Sequence, residues 1–395
     1  MNKLQPTIYA IALTLLALSS ACFADTFINR KTNDMLHGYA AGQTEDDRTV
    51  VHSAEKGTVE LNLTEWEIIP NRLGRNNKVI VLTVDDKIML RIQTEALVRA
   101  VAAAADEGPL FILLEIDTPG GRTDYTRDIC AAIAKARNCP VVAFVNGGKS
   151  GGAISAGAAL AFACNQIYMA GGTIIGAATA ISLSEGDAKN LEETYGQEIA
   201  EKITSAWRAY LASLAQQNSR PGLLAAAMVD KDLEVVEVSQ ADKRLFIDPV
   251  DQTAQQHLVQ TWSKKGSLLT LTADEAVKCG IADKVVNSRQ DLVRHLKADS
   301  ARIVIDDSFQ KAGQQFKRAK ERFTNVSNAL DLKIKKYKQA PGRIRALKML
   351  RDIRKDYRIL IGLAKHYPDL QQNVTGLERQ LNSAEALYQD AKMNR

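Results

Sequence analysis

The sequence predicts an α/β fold built on a mostly parallel sheet. Three observations carry this. Short apolar runs at Val79–Val84, Leu110–Ile116 and Pro140–Val145 alternate with amphipathic helix patterns. The second run, LFILLEI, is apolar enough to be buried on both faces, as a strand covered by helices on both sides must be. Glycine-rich turns, DTPGG at Asp117–Gly121 and GGKSGG at Gly147–Gly152, follow the second and third runs. Strands alternating with helices in this way close through right-handed crossovers.

The chain has 395 residues, 46% of them apolar, enough for a large core and more than one domain. Residues 1–24 read as a signal peptide, with Lys3 before an apolar stretch at Ile8–Leu18 and small residues up to Ala24. This predicts an exported protein, periplasmic or secreted. Cys22 offers the alternative of a lipoprotein anchor. No later stretch approaches the ~20 apolar residues of a membrane span. Residues 25–77 predict a small β-rich module, with strands at Thr49–His52 and Thr58–Leu63. The α/β core is expected over 78–300.

Within the core, helices are expected at Ile92–Ala105, Tyr125–Ala136 and Glu192–Gln217. Ile199, Ile203, Ala206, Tyr210 and Leu214 share one face of the third, with Lys202 and Trp207 off that stripe. Short strands are expected at Gln166–Met169, Thr173–Ala177, Leu233–Val238 and Leu245–Pro249. Leu269–Val286 reads as strand, short helix capped near Thr272, and strand.

From Ser308 the composition changes. Residues 308–395 carry 20 Lys and Arg against 8 Asp and Glu, a net +12. The whole chain is +5, so the remainder carries −7. Leu370, Val374, Leu377, Leu381, Ala384, Tyr388 and Ala391 alternate steps of four and three, which predicts a basic helical tail of coiled-coil or helical-hairpin type. Export excludes nucleic acid as its partner. Peripheral contact with anionic lipid headgroups stays open.

The chemistry centres on GGKSGGAISAG, Gly147–Gly157, between the third strand and an apolar helix. Ser150 and Ser155 both sit there among small residues, which let substrate backbone approach. The helix beyond offers free N–H groups. AFVNGGKS mimics a phosphate loop, but its first position lies inside the strand, so the loop cannot wrap a phosphate. The five histidines, His37, His52, His257, His295 and His366, all lie away from the glycine loops in sequence. A serine can instead be activated by a lysine kept neutral in a dry pocket. Lys202 is a candidate, and a solvated helix lysine is the alternative reading. Ala156 at a helix start and the Gly120-Gly121 turn are candidate oxyanion donors. Cys130, Cys139, Cys164 and Cys279 lack metal-ligand spacing. Four free core thiols is the favoured reading; Cys130 and Cys139 flank a helix, and their pairing in an oxidising compartment is the alternative. No metal or other cofactor is called for.

EIDTPGG, PVVAFV and GGAISAGAALAFACNQIYMAGGTIIGAA in this order resemble the Clp-protease fold (the ClpP/crotonase superfamily) of serine peptidases. Within it the chain most resembles the NfeD type, the membrane-associated protease partner of stomatins; signal peptide peptidase A is more distant. The resemblance covers roughly Lys78–Leu296. It implies Ser155 as nucleophile and Ser150 as a loop-shaping residue. It implies Lys202 as general base, and an oxyanion hole from backbone N–H groups of Gly120 or Gly121 and of Ala156. It further implies a serine endopeptidase acting on peptide or protein substrates, and a homo-oligomer. The membrane spans and C-terminal β-barrel often attached in the NfeD type are replaced here by the basic tail. A non-catalytic scaffold on the same fold is one alternative. A crotonase-like acyl-CoA enzyme is another, although an exported protein meets little CoA.

Overall fold

The computed structural model describes residues 25–393 except 45, 47, 54–55, 70–75, 185–186, 190, 242, 300 and 340–341. The expected signal peptide and Cys22 lie outside the described residues. The chain divides into two compact units. One runs to Met89 and resumes over Leu97–Asp307; the other joins Leu90–Ala96 to the residues from Ser308 onward.

The first unit opens with five strands, β1 (Asp25–Asn29), β2 (Met35–Gln43), β3 (Thr49–Ser53), β4 (Gly57–Leu61) and β5 (Trp66–Ile69). They form an antiparallel sheet in the order β4-β3-β2-β1-β5. Phe27, Leu36, Val51 and Leu61 fill its own small core.

The α/β part comes next: β6 (Asn76–Val84), α1 (Arg91–Asp106), β7 (Pro109–Ile116), α2 (Thr123–Lys135), β8 (Val141–Val145), β9 (Gly152–Ile154), α3 (Ala156–Ala163), β10 (Gln166–Met169) and β11 (Ile174–Gly176). It continues through β12 (Ser182–Ser184), β13 (Asp187–Lys189), α4 (Leu191–Tyr195), α5 (Gln197–Gln217), α6 (Gly222–Ala227), β14 (Val235–Gln240), β15 (Lys243–Ile247) and β16 (His257–Ser263). The unit ends with β17 (Thr270–Thr272), α7 (Ala273–Lys278), β18 (Lys284–Val285), α8 (Arg289–His295) and β19 (Arg302–Asp306).

Six of these strands make the central sheet, in the order β18-β10-β8-β7-β6-β19. Every pairing in it is parallel. Seven of eight residues of β7 and all of β8 are buried, which is why their sequences read as unbroken apolar runs. Ile116 pairs with Val145 at the ends of β7 and β8. The two glycine turns therefore leave the sheet side by side, at the carboxyl edge where open α/β sheets bind ligands. Helix α3 is buried along its whole length, as its apolar sequence requires. The buried Glu115 carboxylate takes two hydrogen bonds from Arg289, at 2.6 and 2.7 Å.

The expected helix over Glu192–Gln217 is interrupted at Gly196, whose φ of 81° breaks it into α4 and α5. The buried face of α5 also differs from the expected stripe. Ala200, Trp207, Leu211, Leu214 and Ala215 are buried, while Ile199 is 49% exposed. The cause is Trp207, whose indole N–H donates to the Ala178 carbonyl at 2.8 Å and turns the helix so that its ring packs inward. Cys130, Cys139, Cys164 and Cys279 are buried and form no disulfide among the described residues.

The second unit contains α9 (Ser308–Lys338), α10 (Arg343–His366) and α11 (Val374–Met393). The expected heptad seam is occupied within the chain. Leu370, Val374, Leu377, Leu381 and Ala384 pack in one cluster with Phe323 and Leu330 of α9 and Ile353, Tyr357 and Leu360 of α10.

Candidate active site

Ser155 joins β9 to α3. Its backbone stands at φ 55°, ψ −113°, a conformation that an L side chain adopts only at a cost. The surroundings impose it. The Ser155 N–H donates to the Gly176 carbonyl at 2.9 Å, at the end of β11. On the other side, the Ile154 N–H donates to the Thr118 carbonyl and the Thr118 N–H to the Gly152 carbonyl, at 3.1 and 3.0 Å. The hydroxyl is half-buried and does not cap α3.

Two glycines make the close approach possible. Gly120 has φ 120°, and a Cβ there would lie 2.7 Å from Ser155 Cβ, 3.0 Å from its Oγ and 3.5 Å from the Ala156 nitrogen. A Cβ on Gly157 would lie 2.8 Å from the Thr118 methyl, so the glycine of Ser-Ala-Gly lets α3 rest on the DTPGG turn. The structure thus brings Gly120, Ser155 and Ala156 together. The Gly120 N–H is already donated to Thr118 Oγ1 at 3.1 Å. Among the described residues the Gly121 and Ala156 N–H groups have no such acceptor. Gly121 itself pairs with Ile88 through an isolated bridge.

Lys202 lies on α5, five residues and so about 7.5 Å of helix before Trp207. Trp207 pins α5 beside the segment that leaves β11. The Lys202 side chain is 71% exposed, and its amine donates to Glu198 at 2.7 Å, not to Ser155. In this pairing the amine serves as a cationic donor in solvent.

Two residues outside the expected set shape the site. Asp117 is buried, and its carboxylate accepts the Ser150 and Gly152 N–H groups at 3.3 and 3.2 Å. It thereby holds the loop that leads to Ser155, and Ser150 enters as a backbone donor in that loop. Thr118 Oγ1 donates to the Asp86 carbonyl at 2.8 Å while accepting from Gly120. The sequence signal was present: polar residues directly after a strand too apolar to tolerate them without partners.

A cleft of about 1490 Å³ also lies in this unit, and its lining includes Glu60 of β4 and Arg220 but not Ser155. Arg220 donates to the Ile281, Asn218 and Asn165 carbonyls and to Asp283. Among the described residues no group of three His, Cys, Asp or Glu is placed to hold a metal ion.

Fold and corner together define a parallel-sheet α/β domain with a strained serine at a helix start. Residues 78–257 match the family described as NfeD1b, N-terminal domain. Membrane protein NfeD1b of Bacillus subtilis is 30% identical over 233 residues, 59% of this chain and 44% of its own length. The membrane-bound protease PH1510 of Pyrococcus horikoshii is 33% identical over 137 residues, 35% of this chain and 29% of its own. The chain spans less than half the length of these two relatives. A solved mutant of the 1510-N membrane-bound stomatin-specific protease covers 58% of this chain and 98% of its own, at 23% identity and a TM-score of 0.43.

These names correct the expectation of an exported protein free in the periplasm or medium. The relatives are membrane proteins and point to membrane association. No described helix is long and apolar enough to cross a membrane.

Proposed function

We propose that this chain is a serine endopeptidase with Ser155 as nucleophile and Lys202 as general base. The observation that carries the reading is the strained Ser155 corner with Gly120 against it, which leaves room for a scissile carbonyl beside the hydroxyl. Ser155 Oγ attacks that carbonyl while the neutral Lys202 amine accepts the hydroxyl proton. The Gly121 and Ala156 N–H groups receive the oxyanion, and Lys202 then protonates the leaving amine. Water hydrolyses the acyl-enzyme by the same route. Lys202 does this only after its pair with Glu198 opens and the site closes around it, because a base must be desolvated to be neutral. Substrate is a peptide segment, extended so that it adds to a strand edge. Assembly into a homo-oligomer belongs to the same proposal.

The exposed Lys202–Glu198 pair favours a second reading, a non-catalytic scaffold on the same fold. A fluorophosphonate probe separates the two. The peptidase reading expects labelling that disappears in Ser155→Ala, slows in Lys202→Ala and survives in Ser150→Ala. Labelling that persists in Ser155→Ala removes the nucleophile assignment. No labelling of the parent chain, together with no hydrolysis of peptide substrates, establishes the scaffold.

A further inference from the structure

We infer that one end of the three-helix unit docks on an anionic lipid surface. Three chain segments meet there. The last turn of α9 carries Lys335, Lys336 and Lys338. The first turns of α10 carry Arg345 and Lys348. Between them, Arg343 donates to the Ala391 and Lys392 carbonyls, both at 2.7 Å, which ties the end of α11 to the start of α10.

That clasp defines the surface. It consumes Arg343 and leaves the other five cations exposed. None of the five makes an ion pair among the described residues, whereas Lys333, two residues inside, is paired with Asp356. On α11 the nearest acid, Asp390, is already partnered. Two large apolar side chains stand among the cations: Ile344 is 87% exposed and Met393 74%. Elsewhere in the unit most apolar side chains of the same helices are gathered into the internal cluster; Leu332 and Leu387 are also exposed, but less so than Ile344 and Met393. Ile344 follows the Gly342 cap of α10, and nothing in the helix packing requires an isoleucine in water.

Cations around a protruding aliphatic group suit a bilayer interface. Lysine and arginine meet the anionic headgroups while the apolar tips enter the acyl boundary. A nucleic acid offers phosphates for the cations but rewards aromatic platforms, not an isoleucine. The described chain has no membrane-spanning helix, and this end supplies a peripheral attachment that does not need one. The inference is independent of whether Ser155 is catalytic.

The test is co-sedimentation of the full chain with phosphatidylcholine vesicles, with and without phosphatidylserine. Binding is expected to require phosphatidylserine and to weaken as salt rises. Each lysine near an anionic surface is worth a factor of about five. Combining Lys335→Gln, Lys336→Gln and Lys338→Gln therefore lowers the binding constant about a hundredfold. Ile344→Ser is expected to lower it about tenfold and to leave the salt dependence unchanged. All four positions are exposed, so circular dichroism and thermal melting should match the parent, which separates lost docking from lost folding. Three results overturn the inference: no binding of the parent chain to phosphatidylserine vesicles, binding that the triple variant leaves intact, or duplex DNA binding that the lysines govern while Ile344→Ser changes neither ligand.

Discussion

Ser155 holds a backbone conformation that glycine would hold more cheaply, at φ 55° and ψ −113°. Strain of this kind costs on the order of 1–3 kcal/mol. Ser155→Gly should therefore raise stability by about 1 kcal/mol, whereas Ser155→Ala should not, because alanine keeps the Cβ. Both should lose probe labelling under the peptidase reading, and thermal melting of the two variants tells them apart. Gly120→Ala is expected to act in the other direction. Its methyl would stand 3.0 Å from Ser155 Oγ, where the substrate carbonyl must go, and labelling should fall by roughly two orders of magnitude. Replacing Glu198 by glutamine removes the charge that holds the Lys202 amine in solvent. Labelling should rise a few-fold, and a fall would count against Lys202 as base. The glycine turns and the serine corner were legible because small residues crowded around a serine are a local signal. The setting of Lys202 was not. It depends on which face of α5 is buried, and the indole bond from Trp207 to Ala178 decides that across 29 residues.

The elements divide in the same way. Long apolar strands announce themselves, so β6, β7 and β8 agree closely with the expected runs. Strand β9 has only three residues, two of them Gly and Ala, and it exists because Ile174 and Thr118 pair with it. Strand β19 is short, with Ile303 and Ile305 exposed, and its pattern carries no inward face. The three-stranded sheet of β15, β14 and β16 shows how a charge can be built into such an element. Glu237 on β14 is buried and accepts hydrogen bonds from Arg244 and Trp262, at 2.7 and 2.8 Å. Burial pushes its carboxyl up, but the two hydrogen bonds and the Arg244 charge outweigh this and hold it below the usual range. A carboxyl lowered in the folded state stabilises above its unfolded value, and that contribution is lost as pH falls through the folded one. Glu237→Gln should cost about 1–2 kcal/mol at neutral pH. The difference between variant and parent should close below the ordinary glutamate value of about 4.3, as melting across pH would show. A difference that persists at low pH would assign the loss to packing.

At the scale of the molecule, the change of composition at Ser308 was visible, but the start of α1 was not expected to belong with the C-terminal helices. Leu90–Ala96 groups with them, through contacts such as Gln93 to the Phe309 carbonyl at 3.4 Å and the Arg91 N–H to Asp369 at 2.7 Å. Pairings across more than 200 residues leave no periodic trace in a sequence. The C-terminal helices also have a hydrophobic cluster of their own, distinct from the one around Val79, Leu113 and Val142. Leu360 on α10 is 1% exposed at the centre of the former. Truncating it removes buried methyl groups and leaves a cavity, so Leu360→Ala should destabilise the helical unit by about 2–5 kcal/mol. Because the partners of Leu360 in that cluster come from the C-terminal helices alone, the Ser155 corner should keep its geometry at temperatures where the helical unit has melted. Calorimetry should then show a separate, earlier transition in the variant, with fluorophosphonate labelling unchanged across it. One merged transition that abolishes labelling as it shifts would show instead that the two units melt together.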